Sequence, residues 1–364
     1  MNILDKANLK IKNKYPFTND ITNYCCTFES DNLFQINFES IGCKNSYNGK
    51  CIICDYGRGR NITKEEMLHA LNFAISNIKG NPRTLLINTY GSILDEFEFS
   101  KENLIALLIE INKLNFKSII LETHYKTITQ EKLDLIKKYI NNKNIFFEIG
   151  IERFNEKYRK YCLNKDINNN ELFNTINLIK ENNCFVSANI LIGIPFLDTY
   201  QQLNDVIESI NIAFKNKIDE VTLFPINIKK YTFLYELYKN NLYKPISSWM
   251  IIEILNNVEK EYLDKITFAW FGNRDMIYSN NTTIFPINCD KCRKPLNKFL
   301  EDFNSAKNDN KIKLLDEINI ISKQCDCRKN FINELKIKND KSFENIIKDY
   351  YDFIDKHIVG KGNT

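Results

Sequence analysis

Three cysteines crowd one polar loop. Cys43, Cys51 and Cys54 stand in CKNSYNGKCIICDYG, residues 43–57, with the spacing C-x7-C-x2-C. A structural zinc ion takes four protein ligands, and disulfides take thiols in pairs. A [4Fe–4S] cube held by three thiolates keeps one iron open for an exogenous ligand. That iron could chelate the amino and carboxylate groups of S-adenosylmethionine. An electron from the cluster would then cleave the sulfonium to a 5′-deoxyadenosyl radical. Zinc is the competing reading: Cys51 and Cys54 would form half a site, and Cys43 or a later residue would complete it. On these cysteines alone both stay open.

A second group is complete in itself. Cys289, Cys292, Cys325 and Cys327 form C-x2-C-x32-C-x-C. Four thiolates close a tetrahedral site, so zinc is the first choice and an auxiliary [4Fe–4S] cluster the second. Cys25 and Cys26 read as simple thiols, and Cys162 and Cys184 as small core residues. Of the three histidines, His69 and His357 read as structural or exposed, whereas His124 could bind substrate or act as an acid. Arg58 and Arg60, in YGRGR, could meet a carboxylate or phosphate.

The elements that must position these residues alternate. The residue pattern predicts strands over 32–40, 83–91, 117–124, 144–152, 184–195 and 219–227. Helices are predicted over 63–78, 101–114, 129–142, 169–183 and 200–216, the first opened by a capping box of Thr63 and Glu66. Alternation at this spacing means βαβ units and a parallel sheet. The strands read as mostly apolar throughout, as expected where both faces are covered. A doubly wound sheet would fit the count, but the reading adopted is an α/β fold: a partial (β/α)6 TIM-like barrel. Chemistry then belongs at the C-terminal ends of the strands, and the Cys43 loop follows the first strand there. Past about residue 240 the alternation is expected to stop. Helices are predicted over 247–263, about 294–319 and 341–358.

These patterns divide the 364 residues into a lead-in (1–30), the barrel (31–240) and a small α-rich domain (241–364) stapled by four cysteines. A hydrophobic share of 43% and an aromatic share of 12% suffice for a packed interior. A net charge of +4 permits nucleic-acid contact without arguing for it. No signal peptide and no membrane span are expected, so the eleven cysteines read as cytosolic thiols and the location as cytoplasmic.

The strand ends carry site-like residues. Exposed amides in NTYGS (88–92) could hold the amino-acid end of a cofactor. The carboxylates and hydroxyls of ETH (122–124) and EIGIER (148–153) suit a ribose and an ammonium group, and LIGIP (191–195) lets backbone approach an adenine. Beside a three-cysteine loop, this constellation resembles the radical S-adenosylmethionine (radical SAM) superfamily. It is most similar to the elongator-type branch and the radical-SAM subunit of archaeosine synthase. The likeness runs through GCKNSYNGKCIICDYG, NTYGSILDEFEF, IPFLDTYQQLND and residues 220–249 to the C-terminal cysteine pairs. The resemblance implies that Cys43, Cys51 and Cys54 hold the cluster. Gly91, Ser92, Glu122 and Glu152 would contact the cofactor; His124 and Arg58 are candidates toward the substrate on the residue reading alone. Two departures sit on the substrate face: ETHYK where a Ser-Arg pair follows the Glu, and GIPFL where a basic residue precedes the Pro.

The function implied by the resemblance is radical C–N cleavage of a lysine-modified 7-deazaguanine in tRNA, supplied with electrons by a flavodoxin or ferredoxin. The alternatives are radical SAM chemistry on a small biosynthetic molecule, favoured by the mild charge, and a non-catalytic zinc-stabilised binding module.

Overall fold

The computed structural model describes residues 2–14, 22–30, 32–54, 59–230, 232–269, 283–284, 286, 288–322 and 325–360. The chain opens with helix α1 (Ile3–Lys14) and strands β1 (Cys25–Glu29) and β2 (Leu33–Phe38). A one-turn helix α2 (Lys44–Tyr47) and α3 (Lys64–Ser76) follow, then β3 (Thr84–Asn88), α4 (Lys101–Asn112), β4 (Ser118–Thr123), α5 (Gln130–Tyr139) and β5 (Asn144–Glu152). Next come α6 (Glu156–Leu163), α7 (Asn169–Glu181), β6 (Phe185–Ile192), α8 (Thr199–Lys215), β7 (Glu220–Pro225), β8 (Ile228–Lys229), α9 (Phe233–Lys239) and α10 (Trp249–Asn257). The rest comprises β9 (Ile266–Phe268), β10 (Thr283–Ile284), α11 (Asp290–Ser305), α12 (Asp309–Ser322), α13 (Asp326–Lys336) and α14 (Phe343–Ile354).

Eight of these strands form one curled half-barrel sheet in the order β1-β2-β3-β4-β5-β6-β7-β9. β1 is the antiparallel edge, and the remaining pairings are parallel. The expected α/β half-barrel is therefore present, with two additions. The segment expected to be a patternless lead-in contains α1 and β1. The alternation also continues past residue 240, because β9 pairs with β7.

Local chemistry starts the helices where the sequence indicates. Thr63 and Glu66 form the reciprocal capping box of α3, and Asp198 and Gln201 form another at α8. The outer face of the sheet is the core. Ile36, Phe38, Leu85, Ile87, Ile119, Leu121, Phe147, Ile149, Val186, Ala188, Val221 and Leu223 are each at most 1% exposed. Burying each Ile, Leu or Val contributes about 1.5–3 kcal/mol.

The inner face corrects the expectation of strands apolar on both sides. β4 and β7 alternate strictly between buried and half-buried positions. In register, Asn37 of β2 lies opposite Asn88 of β3, while Glu122 of β4 lies opposite Glu148 of β5, itself opposite Ser187 of β6. Period two puts these polar side chains on one face. A half-barrel need not fill its concave side with methyl groups, so that side keeps polar groups.

Candidate functional site

The Cys43 loop lies just beyond the C-terminal end of β2. Cys43 is the N-cap of α2, and Cys51 adopts a left-handed φ of 57°. Cys54 closes a turn by donating its N–H to the Cys51 carbonyl at 3.1 Å. The loop is tied to a distant segment. Cys51 N donates to Asn164 O at 3.2 Å, and Ile52 N to Leu163 O at 3.1 Å. All three thiols are half-buried. Burial pushes Cys43 up, reinforced by the Glu98 carboxylate, and pushes Cys51 up to about 11. Such thiols need a metal or cluster to hold them as thiolates.

Lys165, which spacing did not single out, is the centre of the charged groups here. Its ammonium donates to Gly150 O at 2.7 Å and to Glu152 Oε1 at 2.6 Å. Both partners of this ion pair are about 15% exposed. Burial pulls Lys165 down, but Glu152, Cys51 and Cys43 outweigh it and hold it above the usual lysine range. Glu152 has φ 66°, at the point where the β5–β6 register shifts. A non-glycine residue in that region is strained, and such strain clusters at functional sites. Glu122 receives Asn88 Nδ2 at 2.5 Å, and burial raises its carboxyl, with Glu152 adding to the rise. His124 accepts Lys126 N at 3.3 Å through Nδ1. Burial, then Lys165 and Lys126, drive it down to about 3, so it is neutral.

The remaining expected site residues play different parts. Ser92 is buried, its hydroxyl 2.5 Å from Thr123 Oγ1 and 3.0 Å from Thr127 Oγ1. It also accepts His124 N at 3.2 Å, so it joins the tips of β3 and β4. Gly91 is where the β3 end meets the cysteine loop. A Cβ there would stand 2.6 Å from Cys43 Cβ and 2.4 Å from Glu98 Oε1. Arg58 lies outside the described residues. Glu98, not anticipated, is 2% exposed and accepts Thr89 Oγ1 at 2.9 Å. Burial raises it to about 7. No spacing rule marks Glu98 or Lys165, because both reach the site through loops.

The second cysteine group is compact. Cys289 and Cys325 are the N-caps of α11 and α13. Cys325 Sγ is 3.4 Å from Cys289 Sγ, 2.8 Å from Cys292 Sγ and 3.1 Å from Cys327 Sγ. Burial pushes the Cys325 thiol up, but hydrogen bonds from Cys292, Cys327 and Cys289 bring it down to about 6. The indole N–H of Trp249 reaches Cys327 Sγ at 3.1 Å. One tetrahedral ion with bonds of about 2.3 Å spaces its sulfurs by about 3.8 Å, so this set has the scale of a single ion. A cubane instead hangs each thiolate on a separate iron, which spreads them. The ligand atoms of these four all lie within 4.8 Å of one another. A cavity of about 930 Å³ opens beside Cys289 and Cys327, lined also by Ile194, Phe196, Phe331 and Tyr350. No described helix is long and apolar enough to cross a membrane.

No protein-family model matches the chain. An uncharacterized protein of Methanocaldococcus jannaschii is 27% identical over 307 residues, 82% of this chain and 80% of its own length. Archaeosine synthase subunit beta of Methanosarcina acetivorans is 26% identical over 227 residues, 61% of this chain and 65% of that protein. Among solved structures, Elp3 of Methanocaldococcus infernus, lacking its N-terminus, aligns with a TM-score of 0.46 at 14% identity, covering 66% of this chain and 58% of that one. Coproporphyrinogen III oxidase of Escherichia coli, a radical SAM enzyme, aligns with a TM-score of 0.39 at 14% identity, covering 63% and 52%. The chain resembles radical SAM enzymes.

Proposed function

We propose that the chain is a radical SAM enzyme whose Cys43, Cys51 and Cys54 hold a [4Fe–4S] cluster. The observation that carries this reading is the loop itself. It offers three half-buried thiols at the C-terminal edge of a parallel half-barrel, placed beside Lys165, Glu152 and Glu122. When bound, the cluster supplies the electron that cleaves S-adenosylmethionine to the 5′-deoxyadenosyl radical. The chain's own residues would do the rest. Gly91 lets the β3 end close on Cys43. Glu122 and Glu152 accept hydrogen bonds from hydroxyl or ammonium groups, and Lys165 offers an ammonium to a carboxylate. The concave face limits water around the reacting atoms. A flavodoxin or ferredoxin would deliver the electron.

For the substrate, the reading carried forward is a lysine-modified 7-deazaguanine in tRNA, cleaved at a C–N bond. The likeness to archaeosine synthase subunit beta supports it, over 61% of this chain. The net charge of only +4 favours a second reading, a small biosynthetic molecule. Zinc is the ion proposed for Cys289, Cys292, Cys325 and Cys327, on the short sulfur separations.

Anaerobic iron–sulfur reconstitution tests the chemistry. Visible cluster absorbance that is lost in Cys54→Ala supports the enzyme, whereas colourless protein carrying two zinc ions returns the chain to a binding module. Formation of 5′-deoxyadenosine that rises only with modified tRNA supports the first substrate, and a rise only with a free metabolite supports the second.

A further inference from the structure

Helix α1 meets the cysteine loop with a polar stripe. Asp5, Asn8 and Lys12 recur at helical spacing, so they share one face. All three are buried, at 5%, 0% and 8% exposure. Burial of such groups costs free energy unless each finds a partner; apart from the Asn2 N–H, which Asp5 accepts at 2.9 Å, the partners below belong to the loop or to the segment that braces it. Asn8 Nδ2 donates to both Gly49 O and Lys50 O, each at 3.0 Å. Lys12 Nζ donates to Ser46 O at 3.2 Å and also to the Ser46 hydroxyl. Asp5 pairs with Lys50 at 3.0 Å and receives Asn164 Nδ2 at 2.8 Å.

The contact tolerates nothing larger at its centre. Gly49 has φ +75°, and a Cβ there would lie 2.6 Å from Asp5 O and 2.9 Å from Leu9 Cγ. Asn164 completes the brace. Its Nδ2 also donates to Gly49 O at 3.0 Å, while its own carbonyl takes the Cys51 N–H at 3.2 Å. Carbonyls 46, 49 and 50 therefore face donors from α1, between the first and second cysteines of the motif.

We infer that α1 is the positioning element of the cluster site: Asn8 and Lys12 hold the backbone between Cys43 and Cys51 in the conformation that ligates iron. This inference rests on reading the three-cysteine loop as a cluster site.

The test uses the full chain, reconstituted anaerobically, in the variants Asn8→Leu and Lys12→Met. Asn8→Leu keeps the branched outline and removes the amide, and Lys12→Met keeps the chain length and removes the ammonium with its donors and charge. Lys6→Met, at an exposed position of the same helix, is the control. Four quantities are read: iron per chain, the rate of cluster loss to an iron chelator, the electron paramagnetic resonance spectrum of the reduced cluster, and metal retained by the four C-terminal cysteines. Asn8→Leu and Lys12→Met should lose the cluster at least tenfold faster and shift the spectrum. Their C-terminal metal content should stay at the Lys6→Met level, and Lys12→Arg should restore slow loss. Release rates and spectra equal to wild type in both variants would overturn the inference. So would loss of both metals together, which marks general unfolding. A wild-type chain that takes up no cluster at all would instead refute the proposed function, before any variant is compared.

Discussion

Gly91→Ala should damage the site by steric means alone. The added Cβ would stand 2.6 Å from Cys43 Cβ, 2.9 Å from Cys43 Cα and 2.4 Å from Glu98 Oε1. Ordinary carbon contacts begin near 3.4 Å, so Cys43 and its backbone must retreat by about 0.8 Å. The Glu98 side chain cannot swing aside freely, because Thr89 and Ser40 hold its other oxygen. Overpacking of this kind costs about 1–3 kcal/mol. The melting temperature should fall by a few degrees, since a chain of this size loses only about 2–4 °C, or less, per kcal/mol. The larger effect should be on loading: iron per chain after anaerobic reconstitution should drop severalfold, because the first thiol of the motif has moved. Combining Gly91→Ala with Glu98→Ala should recover part of the stability and little of the iron, since the contact with Cys43 remains. If Gly91→Ala melts and loads as wild type does, Gly91 is not the point at which the β3 end and the cysteine loop close.

Other perturbations have equally definite signs. Glu98 is raised to about 7 from an ordinary value of 4.5, so the folded state binds the extra proton between those pH values and wild-type stability falls as pH rises through that window. Glu98→Gln should therefore leave stability near pH 4.5 unchanged and raise it by about 3 kcal/mol at pH 8, read from denaturant midpoints. Lys165→Met strands the Glu152 carboxylate and should cost about 3–5 kcal/mol. Adding Glu152→Gln should return most of that, and a double-mutant cycle without coupling would exclude the pairing. Stripping metal from the four-cysteine site with a chelator should lower the melting temperature and change the fluorescence of Trp249, whose N–H contacts Cys327. Unchanged emission would mean that this indole does not sense the site.

The alternation of strands and helices was legible because each unit carries its own periodicity and caps, as with Thr63 and Glu66 at α3. The four-cysteine group was legible because each of its two pairs is local, although 32 residues part them. The polar inner face was not, since its residues are separated by whole βα units and meet only through sheet register, as Glu122 and Glu148 do. β1 was missed because it pairs with β2 at the sheet edge, a pairing that leaves no hydrophobic run. α1 was missed for a related reason: half of its buried face is Asp5, Asn8 and Lys12, which read as a solvated helix surface until the loop carbonyls opposite them are seen. Lys165 carries no local signature, because its role depends on Asn164 turning left-handed at the end of α6.

The sheet's spatial order is its order along the chain from β1 to β7. Each strand can therefore join the growing edge during synthesis, with the preceding strand as its template. α1 is the exception. It is made ahead of every partner it will need, and Asn164, which braces it, is translated only after β5. Half of its waiting face is charged or amidic, which keeps that side of the helix hydrated on the nascent chain, and it docks once the cysteine loop and the α6 end have been laid down.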